Sequence, residues 1–275
     1  MSRATEQRIK QKLKDITRAT GIPFNTLLET LFLERFLVRL ANSAYKDRLI
    51  FKGGMCLANF IDLKRSTKDI DFLLSAIDGS KESVEAIFTE VAAVDLMDEV
   101  SFIDITVTLL SLVHKKYPGY RIKFIGQIGQ IRSKITIDIG VGDAVKPKPL
   151  SISLLKGKEP LFEESVSLLS YTPEYIFSEK LEAIIHHGEA NGRMKDYFDC
   201  WQMILNEIVS DSELKEAIDE TSKNRGTTIT LIPDYSIQHD KKWKMFIDRN
   251  NLDRIGITDV IDIINRKLES LGFKL

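Results

Sequence analysis

The sequence predicts an α+β domain followed by a helical one, and three observations predict it. Four stretches alternate apolar and polar residues with the period of a strand, at 69–74, 100–108, 119–125 and 131–139. Helical periodicity is interleaved with them at 25–44 and 80–95. After Pro173 the pattern turns helical and stays mostly so. Strands mixed with helices, then helices alone, divide a chain in this way. The expected boundary lies between Pro160 and Pro173, giving domains of 1–165 and 166–275.

Each element follows from local chemistry. Residues 4–19 form a short polar helix, interrupted by Gly21-Ile22-Pro23. Asn25 is the expected cap of the next helix, which runs to about Ala44. Leu28, Phe32, Phe36 and Leu40 recur there every fourth residue, with Leu33 and Leu37 beside them and Glu34, Arg35 and Arg39 on the other side. That amphipathic pattern predicts a core helix without chemistry. Arg48–Lys52 reads as a short strand that Gly53-Gly54 breaks, and Met55–Leu63 suits a short helix. In the strand 69–74, Asp69, Asp71 and Leu73 share one face, and Ile70, Phe72 and Leu74 the other. Pro147 and Pro149 predict a loop.

Composition narrows the function classes. The 275 residues are 43% apolar and 29% charged, as in a folded globular protein. No run approaches the roughly 20 apolar residues of a membrane helix, so no membrane partner is expected. The opening MSRATEQRIKQKLKDITRAT has no apolar core, so no secretory signal is expected. Cys56 and Cys200 have neither metal-ligand spacing nor partners for a disulfide framework. A cytoplasmic location is the expectation. The net charge of −1 argues against a protein that coats nucleic acid. Basic residues are nonetheless concentrated: Ser111–Ile137 holds six Lys/Arg and no acid. Such a segment binds phosphates or is a solvated face.

The chemistry-bearing residues begin at FKGGMCLANFIDLKRSTKDIDFLL. Asp69 and Asp71, two apart on a strand, place two carboxylates side by side. Their repulsion is relieved by a divalent cation, and Mg²⁺ prefers a few carboxylates together with substrate phosphates. A D-x-D alone is more often a solvent-facing strand end. Gly53-Gly54 before a helix lets a backbone approach a ligand closely and would suit a triphosphate; the alternative is an ordinary tight turn. A third acid is available at Asp138 in QIRSKITIDIGVGD. If the strands 119–125 and 131–139 pair as a hairpin, Arg121, Lys123, Arg132 and Lys134 line one surface with Asp138 at its end. That arrangement suits a polyanionic acceptor approaching a metal, or a polar sheet face open to water.

Gly-Gly, an acidic pair and a later strand acid together resemble the nucleotidyltransferase superfamily. More closely, the chain resembles the AbiEii/AbiGii toxin family of bacterial abortive-infection and toxin–antitoxin systems. The matching stretches are LERFLVRLANSAYKDRLIFKGG (33–54), RSTKDIDF (65–72), YPGYRIKFIGQIG (117–129), ITIDIGVGD (135–143) and SEKLEAII with GRMKDYFDCW (178–201). The resemblance implies a nucleotidyltransferase-like mixed sheet flanked by helices, and a C-terminal helical domain contributing to an active-site cleft.

It also implies roles. Asp69, Asp71 and Asp138 match metal-binding carboxylates, for Mg²⁺ or Mn²⁺. Gly53 and Gly54 match the phosphate loop, although a Gly stands at 54 where the superfamily usually has Ser, so no hydroxyl is offered there. Lys180 matches a lysine near the nucleotide phosphates and Asp196 an aspartate on its following helix. Read alone, Arg193, Lys195, Asp196 and Asp199 could be local ion pairs, and Asp199 is expected to be scaffolding. Lys52, Arg65 and Thr67 flank these motifs and would help position a phosphate or simply pack a turn. The implied activity is transfer of NMP from an NTP to an acceptor, RNA and especially tRNA, with release of pyrophosphate. A cognate antitoxin is the implied partner. The alternatives are transfer to a protein or small molecule, and a non-catalytic nucleotide-binding or interaction protein that keeps the fold.

Overall fold

A computed structural model describes residues 3–65, 67, 70–76, 78–110, 119–152, 155 and 166–274. The chain forms two compact units: Met1–Asn59, Lys68–Gly142 and Lys148–Ser170 make the first, and Phe60–Thr67, Asp143–Pro147 and Tyr171–Leu275 the second.

The first unit is built on a mixed sheet. Its described strands are β1 (Leu49–Lys52), β2 (Ile70–Leu74), β3 (Ser101–Leu110), β4 (Gly119–Ile128), β5 (Ile131–Val141), β6 (Lys148–Ile152) and β7 (Val166–Ser170). They lie in the order β3-β4-β5-β2-β1-β7-β6. β2 runs parallel to β5 and β1 parallel to β7, while the remaining neighbours are antiparallel. The expected hairpin is present as β4–β5, closed by a tight turn with Ile128 opposite Ile131. Helices α1 (Arg3–Thr20), α2 (Phe24–Ala41), α3 (Gly53–Leu57) and α4 (Lys81–Ala92) belong to the same unit.

Strand periodicity puts Ile135, Ile137 and Ile139 in the core, where all three are buried. α2 packs on that face. Phe36 meets the rings of Phe88, Phe102 and Phe124 at centroid distances of 5.4, 5.8 and 5.2 Å. The helix comes close because β4 has a glycine beneath it: a Cβ on Gly126 would stand 2.4 Å from the Phe32 ring. The opposite face of β4 and β5 carries the polar alternates.

Several local expectations are corrected. Asn25 does not cap α2; it lies inside the first turn, and Pro23 holds the N-cap position. A proline there needs no N–H and presets the entry. The helix after the glycine pair is Gly53–Leu57 rather than 55–63. Arg35 and Arg39 are not on a solvent face. Both are fully buried, and Asp98 holds them, with Arg35 Nε donating at 2.6 Å and Arg39 Nη2 at 2.8 Å. Pro149 lies within β6, not in a loop. β6 is an edge strand, the position in a sheet where a missing N–H is tolerated.

In the second unit, α5 (Pro173–His187), α6 (Met194–Leu205), α7 (Asp211–Arg225), α8 (Ser236–Asn250) and α9 (Ile257–Ser270) pack together. Pro173 starts α5 at a position where its missing N–H costs nothing. Ser210 caps α7 and Gly226 closes it at φ 70°. Trp243 is core, donating its indole N–H to the Ile255 carbonyl at 2.8 Å. Among the described residues no helix is long and apolar enough to cross a membrane.

Candidate active site

The first unit gathers the glycine loop and two acids along adjacent strands. Chain flow through β1 ends at Lys52, which stands directly opposite Asp71 of β2. The next residue, Gly53, has φ +76°, a conformation that only glycine adopts without strain. It also has no room for a side chain: a Cβ there would lie 2.1 Å from Asp71 Oδ2 and 2.8 Å from its Cγ. The close approach of loop and carboxylate therefore depends on glycine twice over. Gly54 follows within α3. Lys52 is buried beneath this turn.

Asp71 is in register with Asp138 of the parallel strand β5. In-register neighbours lie about 4.8 Å apart and send their side chains from the same face. Two carboxylates thus stand side by side, with Asp71 the one against Gly53. Both are partly open to solvent. Their oxygens are hard donors of the kind a Mg²⁺ or Mn²⁺ ion takes, and glycine at 53 lets the Asp71 carboxylate stand where a Cβ would otherwise be. The residues present fit such an ion. Among the described residues no three His, Cys, Asp or Glu side chains come together as a ligand set. Asp69 lies outside the described residues, as do Ser66 and Lys68.

Asp138 has a second neighbour. Arg121 of β4 stands directly opposite it and grips it with both prongs, Nε to Oδ1 and Nη2 to Oδ2, each at 2.8 Å. The hairpin then places Lys123 opposite Thr136, Lys134 opposite Ile125 and Arg132 opposite Gln127. All four basic residues leave the face away from α2, and Lys123, Arg132 and Lys134 are exposed. The row runs from the hairpin turn towards Asp138 and Asp71.

The second unit holds a buried charge cluster that the sequence only partly disclosed. Lys180 on α5 reaches Asp196 at 3.0 Å and Asp199 at 2.7 Å, both on α6. Arg65 forks onto Asp199, with Nε at 2.7 Å from Oδ1. Arg193 binds Asp196 at 2.6 Å, the local i,i+3 pair that spacing suggested. Asp196 and Asp199 are fully buried. Burial alone would lower the Lys180 pKa, but the carboxylates of Asp199 and Asp196 outweigh it and hold the ammonium above its ordinary range. Burial would likewise raise Asp196; the charges of Lys180 and Arg193 reverse that and hold it below the usual carboxylate range. Every charge has a partner, the condition under which such a buried cluster is tolerated.

Sequence reasoning missed the extent of this cluster. Asp199 joins Arg65 to Lys180, and Arg65 lies 134 positions away from it in sequence. The D-x-x-D spacing on one helix face was the available signal. Arg65 is committed to Asp199, and Thr67 lies half-buried two residues on. The histidines form no shared site among the described residues. His186 and His187 are exposed, and His239 is buried with Nε2 3.1 Å from the Glu189 carbonyl.

Comparison with known proteins gives the family and the fold. Residues 35–255 match the family model described as nucleotidyl transferase AbiEii toxin, type IV toxin–antitoxin system. A candidate nucleotidyltransferase from H. pylori superposes with a TM-score of 0.52 at 14% identity, over 91% of this chain and 96% of its own. JHP933 from Helicobacter pylori gives 0.49 at 14% identity, over 90% and 91%. At this identity the first likeness establishes the fold. Among curated proteins nothing matches.

Proposed function

The chain belongs to the AbiEii family of nucleotidyltransferase toxins of type IV toxin–antitoxin systems, and from that premise we propose that it transfers NMP from an NTP to RNA, tRNA foremost. The observation that carries the proposal is the register of β1, β2 and β5. It sets Gly53 against Asp71, Asp71 beside Asp138, and a row of exposed basic side chains leading up to them.

Mg²⁺, or Mn²⁺ in its place, held by Asp69, Asp71 and Asp138, would neutralise the triphosphate and the departing pyrophosphate when bound. The backbone at Gly53 and Gly54 would face the triphosphate, with glycine at 53 letting the turn close on Asp71. Lys52, opposite Asp71, adds a positive charge under the turn. For Lys180 we carry over the family's assignment to the nucleotide phosphates, with Asp196 and Asp199 keeping its ammonium charged and oriented. Arg65, anchored by Asp199, and Thr67 would orient the segment that leads into Asp69 and Asp71. Asp138 would accept the proton of the attacking hydroxyl as the bond to the α-phosphorus forms and pyrophosphate leaves. The exposed Lys123, Arg132 and Lys134 would track the acceptor's phosphates. A cognate antitoxin is the partner that the family implies.

The acceptor is tested by neutralising Lys123, Arg132 and Lys134 to Gln together. RNA binding should weaken, and its dependence on log salt should flatten by roughly 0.7 for each single-strand phosphate no longer neutralised. An unchanged salt slope with transfer retained would point to a protein or small-molecule acceptor.

A further inference from the structure

The fork between Arg121 and Asp138 is more open to solvent than the forks of Arg39 on Asp98 and of Arg65 on Asp199. Arg39 with Asp98 and Arg65 with Asp199 are sealed, their side chains at most 4% exposed. Arg121 is 42% exposed and Asp138 22%. A solvent-open pair exchanges partners readily, since water screens it and the ordering of the long side chain opposes it. Its geometry is nonetheless specific: two parallel hydrogen bonds of 2.8 Å between residues directly opposite on β4 and β5. On its other side Asp138 lies in register with Asp71. Arg121 therefore supplies, from one flank, positive charge to a carboxylate that a cation would share from the other. It also stands at the head of the row formed with Lys123, Lys134 and Arg132. A guanidinium suits a phosphate as well as a carboxylate, with the same fork.

We propose that Arg121 is a positioning residue that couples acceptor binding to cation binding. Paired with Asp138, it competes with the cation for that carboxylate. An RNA phosphate arriving along the basic row takes over the guanidinium and leaves Asp138 to the cation and to the acceptor hydroxyl. The proposal rests on the reading of RNA as acceptor. It predicts mutual reinforcement, because an acceptor that tightens cation binding must itself be bound more tightly in the presence of the cation.

The test is a Mn²⁺ titration of the full chain, with and without a short single-stranded RNA, corrected for Mn²⁺ bound by RNA alone. RNA binding is followed separately by fluorescence anisotropy. In the wild type, RNA should tighten Mn²⁺ binding several-fold. Arg121→Gln should bind Mn²⁺ about fivefold more tightly without RNA, the upper end for releasing a half-exposed ion pair, and RNA should add nothing further. Lys123→Gln removes a neighbouring charge without touching Asp138, and should change Mn²⁺ affinity less and keep the RNA effect. If Arg121→Gln behaves as Lys123→Gln does, the coupling is overturned. RNA that binds yet leaves wild-type Mn²⁺ affinity unmoved also overturns it, with the acceptor reading intact. RNA that fails to bind removes the acceptor reading and the coupling with it.

Discussion

Replacing Gly53 by Ala isolates the feature on which the candidate site turns. Two costs are separable. A non-glycine residue at φ +76° costs about 1–2 kcal/mol for its left-handed backbone. The added methyl would also stand 2.1 Å from Asp71 Oδ2. Restoring ordinary contact requires the carboxylate to withdraw by about 1 Å, a displacement that lowers a rate about 100-fold when it misplaces a reacting group. Gly226→Ala is the control. Its φ is +70° and nothing lies within 4 Å of the added Cβ, so it carries the backbone cost alone. Urea denaturation should show Gly226→Ala destabilised by about 1–2 kcal/mol and Gly53→Ala by at least as much. Transfer of label from an α-labelled NTP should fall about 100-fold in Gly53→Ala and hardly at all in Gly226→Ala. Equal activity in the two variants would refute the role given to the close approach of Gly53 and Asp71.

Other expectations follow from the charge clusters and thiols. Asp199→Asn should cost about 3–5 kcal/mol in urea denaturation, because Lys180 and Arg65 lose a buried partner; replacing Arg65 by Met and Asp199 by Leu together should cost less than Asp199→Asn alone. Burial would raise the pKa of Asp98, but the guanidinium of Arg39, with Arg35, holds it below the usual carboxylate range. Its contribution is therefore fully present above about pH 4 and is lost as pH falls through the lower folded value. The stability gap between wild type and Asp98→Asn should shrink across that window, and a gap independent of pH would contradict the pairing. Burial pushes the thiols of Cys56 and Cys200 up, so a thiol reagent at neutral pH should label neither until the chain is unfolded.

Much of the sheet was legible in the sequence because one residue on a strand reports its face. Ile135, Ile137 and Ile139 on one side and Lys134, Thr136 and Asp138 on the other are what the β4–β5 hairpin displays. The fourfold spacing of Leu28, Phe32, Phe36 and Leu40 likewise marked the buried face of α2. Pairings over long sequence distances were not legible. Arg35 and Arg39 looked like a polar face because Asp98, which neutralises them, lies some 60 residues downstream. Asp199 was expected to be scaffolding, but its partner Arg65, 134 positions away, is one that no local spacing can reveal. The position of Asp138 at the end of the basic row was readable, but not the fork with which Arg121 closes on it. Pro149 suggested a loop because sequence does not say that β6 would be the sheet's edge.

The central claim is that Asp69 and Asp71 serve nucleotidyl transfer to RNA. The direct measurement incubates the protein with Mg²⁺, each of the four α-labelled NTPs in turn, and total tRNA or total cell protein as acceptor. A parallel sample carries Asp69→Asn and Asp71→Asn. Label should appear on RNA from at least one NTP, and none should appear with the double variant. Label on RNA that survives the double replacement, or label on protein alone, would contradict the claim.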